Sequence, residues 1–147
     1  MNSCFSLLCL FANLWSNPSA YVEQVYYNVS PSAAVAVYRA YIEHTYPWTV
    51  EERRTLRGVS IVALLLGSAQ CKDVVEHWST KTPPFYLTIC LKKWGGFTYP
   101  EDSRIVVGSF DPMDWLHEYY HIVYPTWSEE QVEDAARRTL NEPLPRD

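Results

Sequence analysis

Asp111-Pro112-Met113-Asp114-Trp115-Leu116-His117-Glu118-Tyr119-Tyr120-His121-Ile122-Val123-Tyr124-Pro125 reads as a helix with both ends marked. Asp111 is a side-chain cap, Pro112 suits the first helical position, and Asp114 adds negative charge to the first turn. Pro125 cannot continue the helix, which therefore runs to about Tyr124. Inside it lies His117-Glu118-Tyr119-Tyr120-His121, an HExxH arrangement. Residues four apart share one face of a helix, so both imidazoles can reach one metal ion. Glu118, beside the first of them, can hold and deprotonate a water on that ion. Zinc brings the pKa of such a water towards ~7, within reach of a carboxylate at neutral pH.

Outward from this helix the pattern alternates between turn signals and short apolar runs. Ser128 caps a last helix with Gln131 at the third position of its box, and that helix runs to about Leu140. Upstream, Arg104–Val107 reads as a short strand ending at Gly108, Pro100–Ser103 as a turn, and Gly95-Gly96 as another turn from which Phe97–Tyr99 pairs back. Phe85–Leu91, after the break at Thr82-Pro83-Pro84, is rich in aromatic and β-branched residues and reads as a further strand. The earlier part is helical. Ser30-Pro31 opens a helix to about His44, and Thr49-Val50-Glu51-Glu52 is a capping box for the next. That second helix is expected to become wholly apolar and central over Val59–Leu66, with a strand over Val59–Leu65 as the alternative. Cys71–Trp78 reads as a short amphipathic helix. The order is N-terminal helices, a small, mostly antiparallel sheet, the HExxH helix and a C-terminal glutamate helix. This is an α+β chain, expected to form one domain over residues 1–147.

The segment Leu91–Leu140 resembles the zincin metallopeptidases, and specifically their gluzincin branch: strand, HExxH helix, turn, then a helix that supplies a glutamate. No GxxH follows His121, as the metzincin variant would require. The position six residues after His121 holds Trp127, where a three-histidine zinc site would need a third His. The EGCLS segment of peptide deformylases is also absent. The resemblance implies a zinc ion held by His117, His121 and one glutamate of the last helix, with Glu118 as catalytic base. Gluzincin-like families often show an apolar residue at +3, an acid or amide at +4 and Ala at +7 from that glutamate. Counted from Glu129, these are Val132, Glu133 and Ala136; counted from Glu130, they are Glu133, Asp134 and Arg137. A helical count agrees with the first register, because Glu129 and Glu133 flank the apolar face of Val132, Ala136, Thr139 and Leu140. Glu129 is thus the expected ligand and Glu133 the partner of a histidine, with the swapped roles as the alternative. The stretch Glu129–Ala136 also resembles, more weakly, the glutamate helix of the ImmA/IrrE-like peptidases.

Composition bounds the function. The chain has 147 residues, 48% hydrophobic and 20% charged, so it carries enough apolar mass for a core. The net charge of −5 excludes the basic excess expected of a nucleic-acid-binding domain. No apolar run reaches the ~18 residues of a membrane span. Four cysteines at 4, 9, 71 and 90 form no CxxC pair and favour a reducing, cytoplasmic setting. The alternative is secretion, with residues 1–20 as a signal peptide rather than an N-terminal apolar helix of the core or a membrane surface: Cys4–Ala12 is apolar and Pro18-Ser19-Ala20 resembles a processing site, although no Lys or Arg precedes the run.

The sequence thus points to a zinc metallopeptidase acting on a protein or peptide substrate laid along the edge of the sheet formed by Phe85–Leu91 and Arg104–Val107. Tyr124, one turn beyond His121, is the candidate oxyanion donor, against a plain packing role; His44 and His77 are expected at the surface. The rival function is a non-catalytic, zinc-stabilised protein-interaction module, in which Glu118 would have no task.

Overall fold

The computed structural model describes residues 17–65 and 96–145. It is an α+β arrangement, with five α-helices and a three-stranded sheet among the described residues. Helix α1 spans Pro18–Asn28, α2 Pro31–Thr45 and α3 Val50–Arg57. Strand β1 covers Ser60–Ala63 and β2 Gly96–Tyr99; a 3-10 turn over Pro100–Asp102 leads to β3, Arg104–Val107. Helices α4, Pro112–Val123, and α5, Glu129–Leu140, complete the order. The expected strand Phe85–Leu91, the helix Cys71–Trp78, the apolar run Cys4–Ala12 and His77 lie outside the described residues.

Local chemistry sets the helix ends. Asn17, Ser30, Thr49, Asp111 and Ser128 each accept a backbone N–H with their side chains, and Pro follows the cap in α1, α2 and α4. Such a cap is worth ~1 kcal/mol. Thr49 with Glu52 and Ser128 with Gln131 form reciprocal capping boxes. Helix α1 begins where the expected N-terminal apolar segment ends: Pro18, part of a processing site in the secretion alternative, is the first residue of a helix capped by Asn17.

Two expectations are corrected. The helix that begins at Val50 ends at Arg57, and the apolar stretch beyond it contains a strand, Ser60–Ala63, as in the alternative reading of Val59–Leu65, rather than a central helix. Among the described residues the sheet, in order β1-β3-β2, is mixed: β1 lies parallel to β3 and β2 antiparallel to it. Arg104–Val107 is consequently the central strand and cannot offer an edge. A short, nearly continuous apolar run such as Val59–Leu66 has no period that distinguishes a strand from a buried helix. Ser103, in the left-handed region with φ of 47°, turns the chain from β2 into β3.

The core gathers around one side of α4. Trp115 stacks edge-on to Tyr38 of α2 with centroids 4.8 Å apart, Phe110 joins both rings, and the indole N–H donates to the Ser109 carbonyl at 2.8 Å. Leu116 and Tyr119 are fully buried, and the Tyr119 ring meets Trp48 edge-on. Burial raises the Tyr38 and Tyr119 phenols well above the usual range, so both stay neutral. With Trp115, Leu116 and Tyr119 fixed inside, the helical period turns His117 and His121 towards α5, where both are only partly buried.

Candidate metal centre

The bend between α4 and α5 brings the first turn of α5 against the histidine face. It is held by a parallel stack of Tyr124 on Trp127, centroids 4.0 Å apart and planes within 10°. Glu129, the first residue of α5, reaches both imidazoles: its Oε2 lies 3.1 Å from His117 Nε2 and its Oε1 2.9 Å from His121 Nε2. The two Nε2 atoms are 3.2 Å apart. One turn on, Glu133 Oε2 sits 2.7 Å from His117 Nδ1, while its Oε1 accepts from Arg137 at 3.1 Å.

A short contact to a carboxylate makes Nδ1 of His117 the protonated nitrogen, which leaves Nε2 of a neutral ring with its lone pair. That lone pair faces a carboxylate oxygen and a second imidazole nitrogen. Acceptors so placed repel unless a proton or a cation lies between them. Ligands of a tetrahedral ion at ~2.0 Å lie about 3.3 Å from one another, close to the separations found. His117, His121 and Glu129 thus form a group able to hold a metal ion, with ligand atoms within 4.8 Å of one another. The Glu129 side chain is 77% exposed, so its carboxylate carries little burial cost of its own. Glu130 is exposed as well, and it belongs to neither histidine contact.

Glu118 has different surroundings. It is only 5% exposed, beneath β2. Its Oε1 accepts from the Thr98 hydroxyl at 3.2 Å, whereas Oε2 has no hydrogen-bond partner. Burial pushes its pKa up to about 7, against the opposing pull of His117 and Thr98. The close approach of β2 requires Gly96, since a Cβ there would stand 2.9 Å from Glu118 Cγ and 3.0 Å from the Val106 carbonyl oxygen. Beside Glu118 opens a cavity of about 250 Å³ lined by Gly96, Met113, Asp114, His117, Glu118 and Glu133. Burial also raises the pKa of Asp114, against a hydrogen bond from Ser109 at 2.7 Å.

Tyr124, the candidate oxyanion donor, instead donates its hydroxyl to Glu52 Oε2 at 2.9 Å, tying α4 to the cap of α3. It does not line the cavity. His44 is exposed. Sequence reasoning missed the cavity roles of Gly96, taken for a turn, and of Asp114, taken only for a helix-end charge. Asp114 had a legible signal: it precedes His117 by three residues and Glu118 by four, on the same helical stripe. Thr98 had none, because its partner is 20 positions away.

No protein-family model, curated protein or solved structure matches the chain. Fold and site define the class on their own terms: an α+β protein carrying a His-His-Glu group between two adjacent helices, with a buried carboxylate at its side. Among the described residues no helix is long and apolar enough to cross a membrane.

Proposed function

We propose that the protein is a zinc-dependent metallopeptidase of the gluzincin kind. The observation that carries this reading is the convergence of His117, His121 and Glu129 at 2.9–3.2 Å beside a buried carboxylate with one unpartnered oxygen. His117, His121 and Glu129 would hold the ion, and two imidazoles with one carboxylate suit zinc with a position left open. Zinc, when bound, supplies a Lewis acid that polarises a carbonyl and acidifies water.

The chain's own groups do the rest. Thr98 fixes Oε1 of Glu118, which leaves Oε2 to take a proton from the attacking water. The water oxygen bonds to the scissile carbonyl carbon, and the proton held on Oε2 passes to the amine as the C–N bond breaks. Before any ion is bound, burial already raises the proton affinity of Glu118 above that of an ordinary carboxylate. Glu133 keeps His117 in the tautomer that presents Nε2, and Arg137 steadies Glu133. An extended peptide would add to β2, the strand that covers Glu118 and an edge among the described residues.

Elemental analysis and a peptide-library screen test the proposal together. Wild type and Glu118→Gln should each hold one zinc per chain. Only wild type should cleave, because loss of a general base lowers rate by about 10²–10⁴-fold. Equal cleavage by both proteins would remove Glu118 from the mechanism. Stoichiometric zinc with no cleavage would favour the zinc-stabilised interaction module.

A further inference from the structure

The cavity beside Glu118 extends past the candidate ligands towards the start of α4. Its volume of about 250 Å³ lies below the ~300–1,000 Å³ of pockets that take whole small ligands, so it suits a single side chain. Three of its six lining residues are carboxylates, and no Lys or Arg is among them. Glu133 has His117 and Arg137 as partners. Glu118 has only the Thr98 hydroxyl, and its Oε2 is without a partner although the residue is 5% exposed and lines the cavity. Asp114 receives a hydrogen bond from the neutral Ser109 hydroxyl and forms no ion pair among the described residues. A divalent ion together with Arg137 would carry three positive charges against the three negative charges of Glu118, Glu129 and Glu133. Among the described residues, Asp114 would still face the cavity with no cation beside it.

Position points the same way. Asp114, His117, Glu118 and His121 form one stripe along α4, with Asp114 about 6 Å along the axis from Glu118 and about 10 Å from His121. The charge of a long side chain can reach Asp114 while its own backbone lies near the histidines. Met113 offers a thioether surface for an aliphatic stem, and Gly96 adds no side chain to the lining. We propose that this cavity is the specificity subsite for a lysine or arginine side chain flanking the scissile bond, with Asp114 as the carboxylate that receives its charge. The reaction rests on the metallopeptidase reading; the cation site does not.

The test uses the zinc-loaded full chain and Asp114→Asn, whose amide oxygen can still accept from Ser109. Paired peptides carry lysine or norleucine at the residue flanking the cleaved bond, each with a free or an acetylated N-terminus. Wild type should prefer lysine in kcat/KM by at least about tenfold, because a site built for a charged group rejects an analogue that leaves it unpaired. Asp114→Asn should bring the ratio near one. A wild type indifferent to lysine, or a preference that survives Asp114→Asn, overturns the subsite and leaves the metallopeptidase reading standing. A preference that requires the free N-terminus assigns the cavity to an α-amino group and overturns the side-chain assignment. If nothing is cleaved, the metallopeptidase reading falls alone, and fluorescence anisotropy with the acetylated peptides decides the subsite. Lysine-selective binding that disappears in Asp114→Asn upholds it, and binding without selectivity overturns it.

Discussion

Three neighbouring glutamates on α5 should respond very differently to the same one-atom change, Glu to Gln. Glu129 places an oxygen within 3.1 Å of each Nε2, so Glu129→Gln replaces an anionic ligand by a neutral one. Glu133 meets His117 through Nδ1 at 2.7 Å, and an amide oxygen in Glu133→Gln still accepts that hydrogen bond. What is lost is the carboxylate charge that makes Nε2 a stronger donor of its lone pair. Outer partners of this kind are worth about 10–100-fold in metal affinity, or about 1.4–2.7 kcal/mol. Glu133→Gln should fall near the lower figure, and Glu133→Ala, which removes the bond as well, near the upper. Glu129→Gln should exceed the ~100-fold reached by outer partners. Glu130 is exposed and faces neither histidine, so Glu130→Gln should stay within about twofold of wild type. Competition for zinc against a chromophoric chelator at neutral pH reads all four. A loss in Glu133→Gln equal to that in Glu129→Gln would refute the assignment of ligand and outer partner. A loss in Glu130→Gln would refute the register of α5 itself.

Stability of the chelated protein should depend on pH through Glu118. Its folded pKa, about 7, lies above the ordinary 4.5, so the protonated form is favoured by folding. The stabilisation is complete below pH 4.5 and is lost as pH rises towards 7, a fall of about 3 kcal/mol that Glu118→Gln should lack; urea unfolding of both proteins in chelator across that range measures it, and identical slopes would contradict it. Gly96→Ala should cost about 1–3 kcal/mol and displace Glu118, because the new Cβ would stand 2.9 Å from Glu118 Cγ; an unchanged urea midpoint would mean that β2 moves away freely. Tyr124→Phe removes the hydrogen bond to Glu52 and should lower stability by about 0.5–1.5 kcal/mol with zinc affinity intact. A 100-fold fall in peptide cleavage at unchanged stability would instead restore Tyr124 as an oxyanion donor.

Helix boundaries were legible because their causes are local. Asp111-Pro112, Ser30-Pro31, Thr49 with Glu52 and Ser128 with Gln131 each satisfy backbone N–H groups within three residues of themselves. Asn17-Pro18 carries the same signal, next to the Pro18-Ser19-Ala20 stretch that only the secretion alternative takes as a processing site. Periodicity placed His117, Glu118 and His121 on one helix, and the same count on the last helix singled out Glu129 and Glu133 rather than Glu130.

Relations between distant segments came from tertiary structure alone. Ser60–Ala63 is a strand because Arg104–Val107 pairs beside it in parallel, and an apolar run has no internal period from which that could be read. Which nitrogen meets which glutamate depends on the angle between α4 and α5, held by the Tyr124–Trp127 stack. Glu118 is buried and polarised because Gly96 and Thr98 of β2 close over it from 20 positions or more away. A motif names the groups that can react. Desolvation and hydrogen bonding set their proton affinity, and both depend on what the rest of the chain packs against them.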